Sequence, residues 1–106
     1  MHGPPPSAWM RIAFPPQGFF LNDPRVVVHV NGWCAYHGSF KSGFDVRFPV
    51  VPGPHLVIAA LEGIVRREKR YSIVAAPGYA VEVWLDYSRT WGNFTDPPRV
   101  ASVPLG

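Results

Sequence analysis

The run Arg25-Val26-Val27-Val28-His29-Val30, then Asn31-Gly32, then Trp33-Cys34-Ala35-Tyr36-His37-Gly38-Ser39-Phe40 carries the strongest local signal in this chain. Asn-Gly between β-branched and aromatic runs reads as a β-hairpin, because both residues accept the positive φ of a type I′ turn. A two-residue loop sets the register, pairing Val30 with Trp33, His29 with Cys34, Val28 with Ala35 and Val27 with Tyr36. On that register Val26, Val28, Val30, Trp33 and Ala35 share the core face, and Tyr36 points outward.

The same punctuation continues toward the C-terminus. Lys41-Ser42-Gly43 leads into Phe44-Asp45-Val46-Arg47-Phe48-Pro49-Val50, where apolar and polar residues alternate strictly, the pattern of a half-buried strand. Pro49 has no N–H for a ladder, so this strand belongs at a sheet edge or near its own end. Val51-Pro52-Gly53-Pro54 turns the chain into the apolar run His55 to Leu61, and Glu62-Gly63 turns it again into a charged strand from Ile64 to Val74. After Ala75-Ala76-Pro77-Gly78, the segment Tyr79 to Tyr87 places Tyr79, Val81, Val83, Leu85 and Tyr87 inward and Glu82, Trp84 and Asp86 outward.

Upstream, Trp9 to Phe14 reads as a first strand stopped by Pro15-Pro16. Gly18 to Leu21 is a short apolar stretch ahead of the Asn22-Asp23-Pro24 turn. Residues 1–8 read as a flexible Pro-rich arm, residues 9–94 as one domain, and residues 95–106 as an extended tail. Turn signals recur roughly every 8 to 12 residues, the spacing of an antiparallel β-sandwich or barrel. The expected architecture is therefore an all-β sandwich of six or seven short strands, joined mostly as sequential hairpins.

Composition agrees. Thirteen prolines and ten glycines among 106 residues break the chain too often for helical bundles or a doubly wound nucleotide fold, while 47% hydrophobic and 16% charged residues favour collapse over disorder. One cysteine, Cys34, excludes an internal disulfide, and no Cys/His cluster has zinc-site spacing. No secretory signal precedes the domain and no window approaches the roughly 18 apolar residues of a membrane span, so the cytoplasm is the expected location.

The net charge of +3 is concentrated in Arg66-Arg67-Glu68-Lys69-Arg70. Such a segment serves as an edge strand whose charges block edge-to-edge pairing. It can also contact an anionic partner. The nucleic-acid version of that contact lacks an accompanying stacking motif.

The order Val28-His29-Val30-Asn31-Gly32, Gly38-Ser39-Phe40, Pro52-Gly53-Pro54-His55 and Pro77-Gly78-Tyr79 resembles the PEGA-type small β-sandwich domains over about residues 25–87. Gly38-Ser39-Phe40 stands where that family has a Gly-x-Thr-Pro stretch, and the Arg66 to Arg70 segment has no counterpart there. The resemblance implies a non-catalytic module for contacts with other proteins, and it transfers no functional residues.

The chemistry within reach is narrow. His29 and Cys34 fall opposite one another in the hairpin, a nucleophile arrangement without a cleft or an oxyanion hole; an ordinary half-buried pair and a metal site shared with His37 or His55 are the other readings. Glu82 and Asp86 share a strand face about 13 Å apart, too far for glycosidase chemistry. No phosphate-loop, dinucleotide, zincin or hydrolase string occurs. These observations predict no enzyme, no cofactor and no metal.

What remains is surface. Trp84 with Glu82 and Asp86, together with Tyr36 and Trp91, forms the expected aromatic face, and Arg66, Arg67, Lys69 and Arg70 the basic strand. The expected role is binding or assembly with a protein partner or a second copy. Recognition of a glycan by Trp84, Tyr36 and Trp91 is the alternative.

Overall fold

The computed structural model describes residues 7–18, 22–63 and 66–105 of the chain. Among these, the alternating segments become strands and none becomes a helix. In chain order they are β1 (Ala8–Phe14), β2 (Arg25–Val30), β3 (Trp33–Ser39), β4 (Phe44–Val50), β5 (Gly53–Glu62), β6 (Arg67–Ala75), β7 (Tyr79–Trp84), β8 (Tyr87–Ser88), β9 (Asn93–Phe94) and β10 (Arg99–Pro104). One sheet runs β10-β7-β1-β4, a second runs β3-β2-β5-β6, and β8 pairs with β9 in a short ribbon.

The two sheets stack because each has one apolar face. Met10, Ile12, Val81 and Val83 of the first meet Val26, Val28, Val57, Ala59, Tyr71 and Ile73 of the second in one buried core. Phe14 joins Phe40, Phe44 and Phe94 in an aromatic cluster with ring centroids 5.4 to 5.7 Å apart. The fold is the expected all-β sandwich. Pro49 lies on β4, an edge strand, and the charged strand β6 is also an edge.

The connections differ from the sequential hairpins expected. In the two main sheets only β2 with β3 and β5 with β6 are hairpin neighbours; β1 pairs antiparallel with β4 and parallel with β7. A parallel pair needs a long connection. Here that connection carries all four strands of the second sheet and β4 of the first.

The hairpin forms its turn as expected, with φ of 51° at Asn31 and 85° at Gly32, but its register holds for two pairs only. Beyond His29 and Cys34 the ladder shifts, so Val28 faces Tyr36 and Val27 faces His37. Ala35 is the extra residue of a β-bulge. The bulge turns Tyr36 inward, where its ring stacks on Phe44 at 4.1 Å and its hydroxyl donates to the Ser39 carbonyl at 3.1 Å. Tyr36 is thus not part of the outer face. Trp33, expected in the core, is 57% exposed at the open end of the sandwich, its ring 5.1 Å from Phe48.

The ends also differ. Ala8 is fully buried and starts β1, and part of the expected C-terminal tail is the strand β10, hydrogen-bonded to β7. The segment Tyr79 to Tyr87 divides at Trp84, its end turning into the β8–β9 ribbon. The start of the charged strand, Ile64 and Val65, and the residues 19–21 of the apolar stretch lie outside the described residues.

Candidate functional site

The outer face of the first sheet is assembled from four strands that are distant in sequence. Register places Arg11 of β1 beside Glu82 of β7, and Trp84 of β7 beside Arg99 of β10. Paired residues share a face, so these side chains emerge together. The Arg11 guanidinium lies 4.4 Å from the centre of the Trp84 ring, and the Arg99 guanidinium lies 5.3 Å from it. Trp84 is a half-buried ring held between two cations.

The two arginines differ in their partners. Arg11 donates through Nε and Nη2 to both oxygens of Asp45, at 2.9 and 2.6 Å, and through Nη1 to Glu82 at 3.2 Å. The fork matches the carboxylate geometry and fixes the guanidinium in place. The Arg11 hydrogen bonds hold the Asp45 carboxyl below its ordinary range. Asp45 and Glu82 in turn raise the Arg11 pKa. Among the described residues no carboxylate lies within 4.0 Å of Arg99, whose guanidinium lies over the Trp84 ring.

Beside Trp84 a cleft of about 830 Å³ opens between the two arginines and an apolar wall of Phe14, Pro15, Pro16, Phe44 and Pro97. Asp86, just past β7, lines it too, its Oδ1 accepting from the Tyr87 N–H at 2.8 Å. The face therefore offers a rigid aromatic, an unpaired cation and proline and phenylalanine edges. With the carboxylates of Asp45 and Asp86 also in the lining, that combination suits a ligand that is part apolar and part charged.

The other residues singled out in the sequence scatter. Trp91 stands in the turn between β8 and β9 and is 78% exposed. On the basic strand, Glu68 accepts from Arg70 at 3.1 Å and from Arg66 at 3.5 Å, while Arg66 also reaches Glu62 and Lys69 lies 4.0 Å from Asp96. The strand is thereby partly neutralised; Arg70, then Arg66, holds the Glu68 carboxyl below its ordinary range. Arg67 is exposed and has no carboxylate within 4.0 Å among the described residues.

His29 and Cys34 are opposite one another as expected. The exposed Cys34 thiol donates to the Tyr36 carbonyl at 3.6 Å. Among the described residues no three His, Cys, Asp or Glu side chains gather into a metal-binding group.

Sequence reading missed Arg11, Asp45 and Arg99 as companions of Trp84. Alternation alone puts Arg11 and Asp45 on the outer sides of their strands. What brings them to Trp84 is the parallel β1–β7 pairing, for which the chain has no local signal.

Comparison with family models, curated proteins and solved structures finds no match to this chain. The class that fold and face define is an all-β sandwich presenting a charged aromatic cleft. No helix is long and apolar enough to cross a membrane among the described residues.

Proposed function

We propose that this chain is a non-catalytic binding and assembly module that contacts a protein partner through the outer face of its first sheet, with the basic strand β6 as a secondary contact. The observation that carries the reading is Trp84 held between Arg11 and Arg99, with Arg99 unpaired by any described carboxylate at the mouth of the cleft. A pre-positioned Trp and Arg are the residue types that dominate protein contacts, because they present large rigid area and a directed charge. The partner is accordingly a protein segment with an acidic side chain for Arg99 and apolar groups for the Phe14, Pro16 and Phe44 wall. The basic strand contributes less, because Glu62, Glu68 and Asp96 already pair with Arg66, Arg70 and Lys69, the last two of them on β6. A cytoplasmic setting, which would keep the exposed Cys34 thiol reduced, belongs to the same proposal. The contact role also agrees with what the PEGA-type resemblance implies.

Selection of a displayed peptide library on the wild type tests the proposal. Acidic, apolar peptides should be enriched, and Trp84→Ala or Arg99→Gln should weaken them by about tenfold or more. Failure to enrich any sequence, or peptides that bind both variants as well as the wild type, overturns it. The 78% exposure of Trp91 favours glycan recognition as a second reading, now without Tyr36. Glycan-array binding lost in Trp91→Ala and in Trp84→Ala would move the function there.

A further inference from the structure

The four edges of the two sheets are not equally protected. Strand β4 carries Pro49 with Asp45 and Arg47, β6 carries its run of charges, and β3 carries the Ala35 bulge. Each is a device that blocks pairing with another strand. Strand β10, Arg99-Val100-Ala101-Ser102-Val103-Pro104, has a charge only at its first residue and a proline only at its last.

The hydrogen-bond parity of β10 is fixed from both sides of β7. Leu105 N–H donates to the Gly78 carbonyl at 2.9 Å and Leu85 N–H donates to the Ala13 carbonyl at 2.8 Å. Even-numbered residues of β7 therefore bond toward β10 and odd-numbered ones toward β1. In the β10 register, Ala101 faces Glu82 and Val103 faces Ala80, so the odd residues of β10 are used. The N–H and C=O groups of Val100 and Ser102 point away from the sheet. All six residues of the strand are exposed, and Val100 and Val103, on opposite faces, are 46% and 44% exposed.

We propose that β10 pairs antiparallel with β10 of a second copy of this chain, joining the two first sheets into one continuous sheet about a two-fold axis. A two-fold axis perpendicular to a sheet must pass midway between one residue and its own counterpart, since paired residues share a face. Centring on Ala101 pairs Val100 of one copy with Ser102 of the other. Centring on Ser102 pairs Ser102 with itself and Val100 with Pro104. In both registers the N–H groups of Val100 and Ser102 from each copy find a carbonyl across the edge. Neither register sets Arg99 against Arg99, which meets Val103 in the first and Leu105 in the second. The strand is self-complementary in hydrogen bonding and apolar faces and its single charge is not set against itself, which is why the occupant is a copy of itself. This surface is the edge of the sheet and meets the Trp84 cleft at Arg99, the first residue of β10.

The test is molar mass by light scattering across a dilution series. The wild type should approach twice 11.8 kDa at the concentrated end. Ser102→Pro, which removes a free-edge donor and no bond to β7, should stay monomeric. Ala101→Glu and Ser102→Glu, which leave the backbone intact and set like charges directly opposite in the Ala101-centred and the Ser102-centred register respectively, should between them do the same, so a misfolded proline variant does not decide the matter. Trp84→Ala should dimerise like the wild type, which separates this edge from the cleft. In a Cys34→Ser background, Ala101→Cys should cross-link between copies in the Ala101-centred register and Ser102→Cys in the other. A wild type at monomer mass throughout, or a dimer that Ser102→Pro, Ala101→Glu and Ser102→Glu all leave intact, overturns the proposal.

Discussion

The carboxamide nitrogen of Asn31 lies 2.7 Å from Nδ1 of His55, and this contact fastens the hairpin turn to β5. The Asn31 oxygen accepts from the Leu56 N–H at 2.9 Å, so its nitrogen is the donor to His55. Nδ1 of His55 is then an acceptor, and Nε2 carries the proton donated to the Val51 carbonyl at 2.7 Å. His55 is the one polar residue buried in the core among the described residues, and both of its ring nitrogens are engaged. Asn31 therefore does two jobs: it adopts the positive φ of the turn and it bridges two strands.

The two jobs separate by mutation. Asn31→Gly keeps the turn and strands the His55 acceptor and the Leu56 donor, at a cost of about 2 kcal/mol. Asn31→Ala should be worse by about 1 kcal/mol, because it adds a side chain that disfavours positive φ. Urea denaturation of the three proteins checks both steps; equal stability of Asn31→Gly and wild type would remove the bridge from the account.

A carboxylate at the other end of the hairpin sets an acid dependence. Asp23 accepts from the N–H groups of Lys41 and Phe40 at 3.0 and 2.9 Å and from the Ser39 hydroxyl. The Lys41 N–H, then the Ser39 hydroxyl, holds its carboxyl below the ordinary range. The folded state thus binds this proton less readily than the unfolded chain, and the stabilisation is present above about pH 4 and lost as pH falls through the lower folded value. Thermal melting of Asp23→Asn should show a shallower acid limb than the wild type. Parallel limbs would count against it.

Tyr71 gives the opposite sign. Its ring is buried and its hydroxyl donates to the Thr95 carbonyl at 2.8 Å, tying β6 to the segment after β9. Burial, aided by Asp96, raises its pKa. The folded state holds the phenol proton more tightly, so stability is full below about pH 10 and falls as pH rises toward the folded value. Tyr71→Phe should lose about 1 kcal/mol at neutral pH and show a weaker alkaline decline. An unchanged decline would remove Tyr71 from the account.

How far the sequence was readable follows from where the signals are local. The Asn31-Gly32 turn, the alternation of β4 and its edge position at Pro49 were legible because turn chemistry and period-two patterning act over a few residues. The Ala35 bulge was not, since one inserted residue reverses the faces beyond it and the mixed Trp33-Cys34-Ala35-Tyr36 run fits either reading. Strand β10 was missed for a different reason: both of its faces are exposed, so it has no apolar stripe to read. The Arg11–Trp84 contact depends on a pairing between β1 and β7 that only the closed sandwich creates.

Gly43 ties the fold to the cleft and gives the sharpest contrast between two glycines. It has φ of 66°, and a Cβ there would sit 2.5 Å from the Phe14 carbonyl oxygen, 2.7 Å from the Pro16 nitrogen and 2.8 Å from the Pro15 carbonyl carbon. All three neighbours are backbone, so no side chain can swing away. Gly32 also has positive φ, 85°, but a Cβ at that position meets nothing within 4 Å. Gly32→Ala should therefore cost only the backbone strain, about 1 kcal/mol, whereas Gly43→Ala adds an overlap of about 1–3 kcal/mol. Relief of that overlap requires Phe14, Pro15 and Pro16 to move, and these residues form the apolar wall beside Trp84. Gly43→Ala should accordingly weaken any peptide selected on the cleft as well as lower the denaturation midpoint, while Gly32→Ala lowers the midpoint alone. Equal losses of stability in the two variants would show that the Phe14 to Pro16 backbone yields without cost.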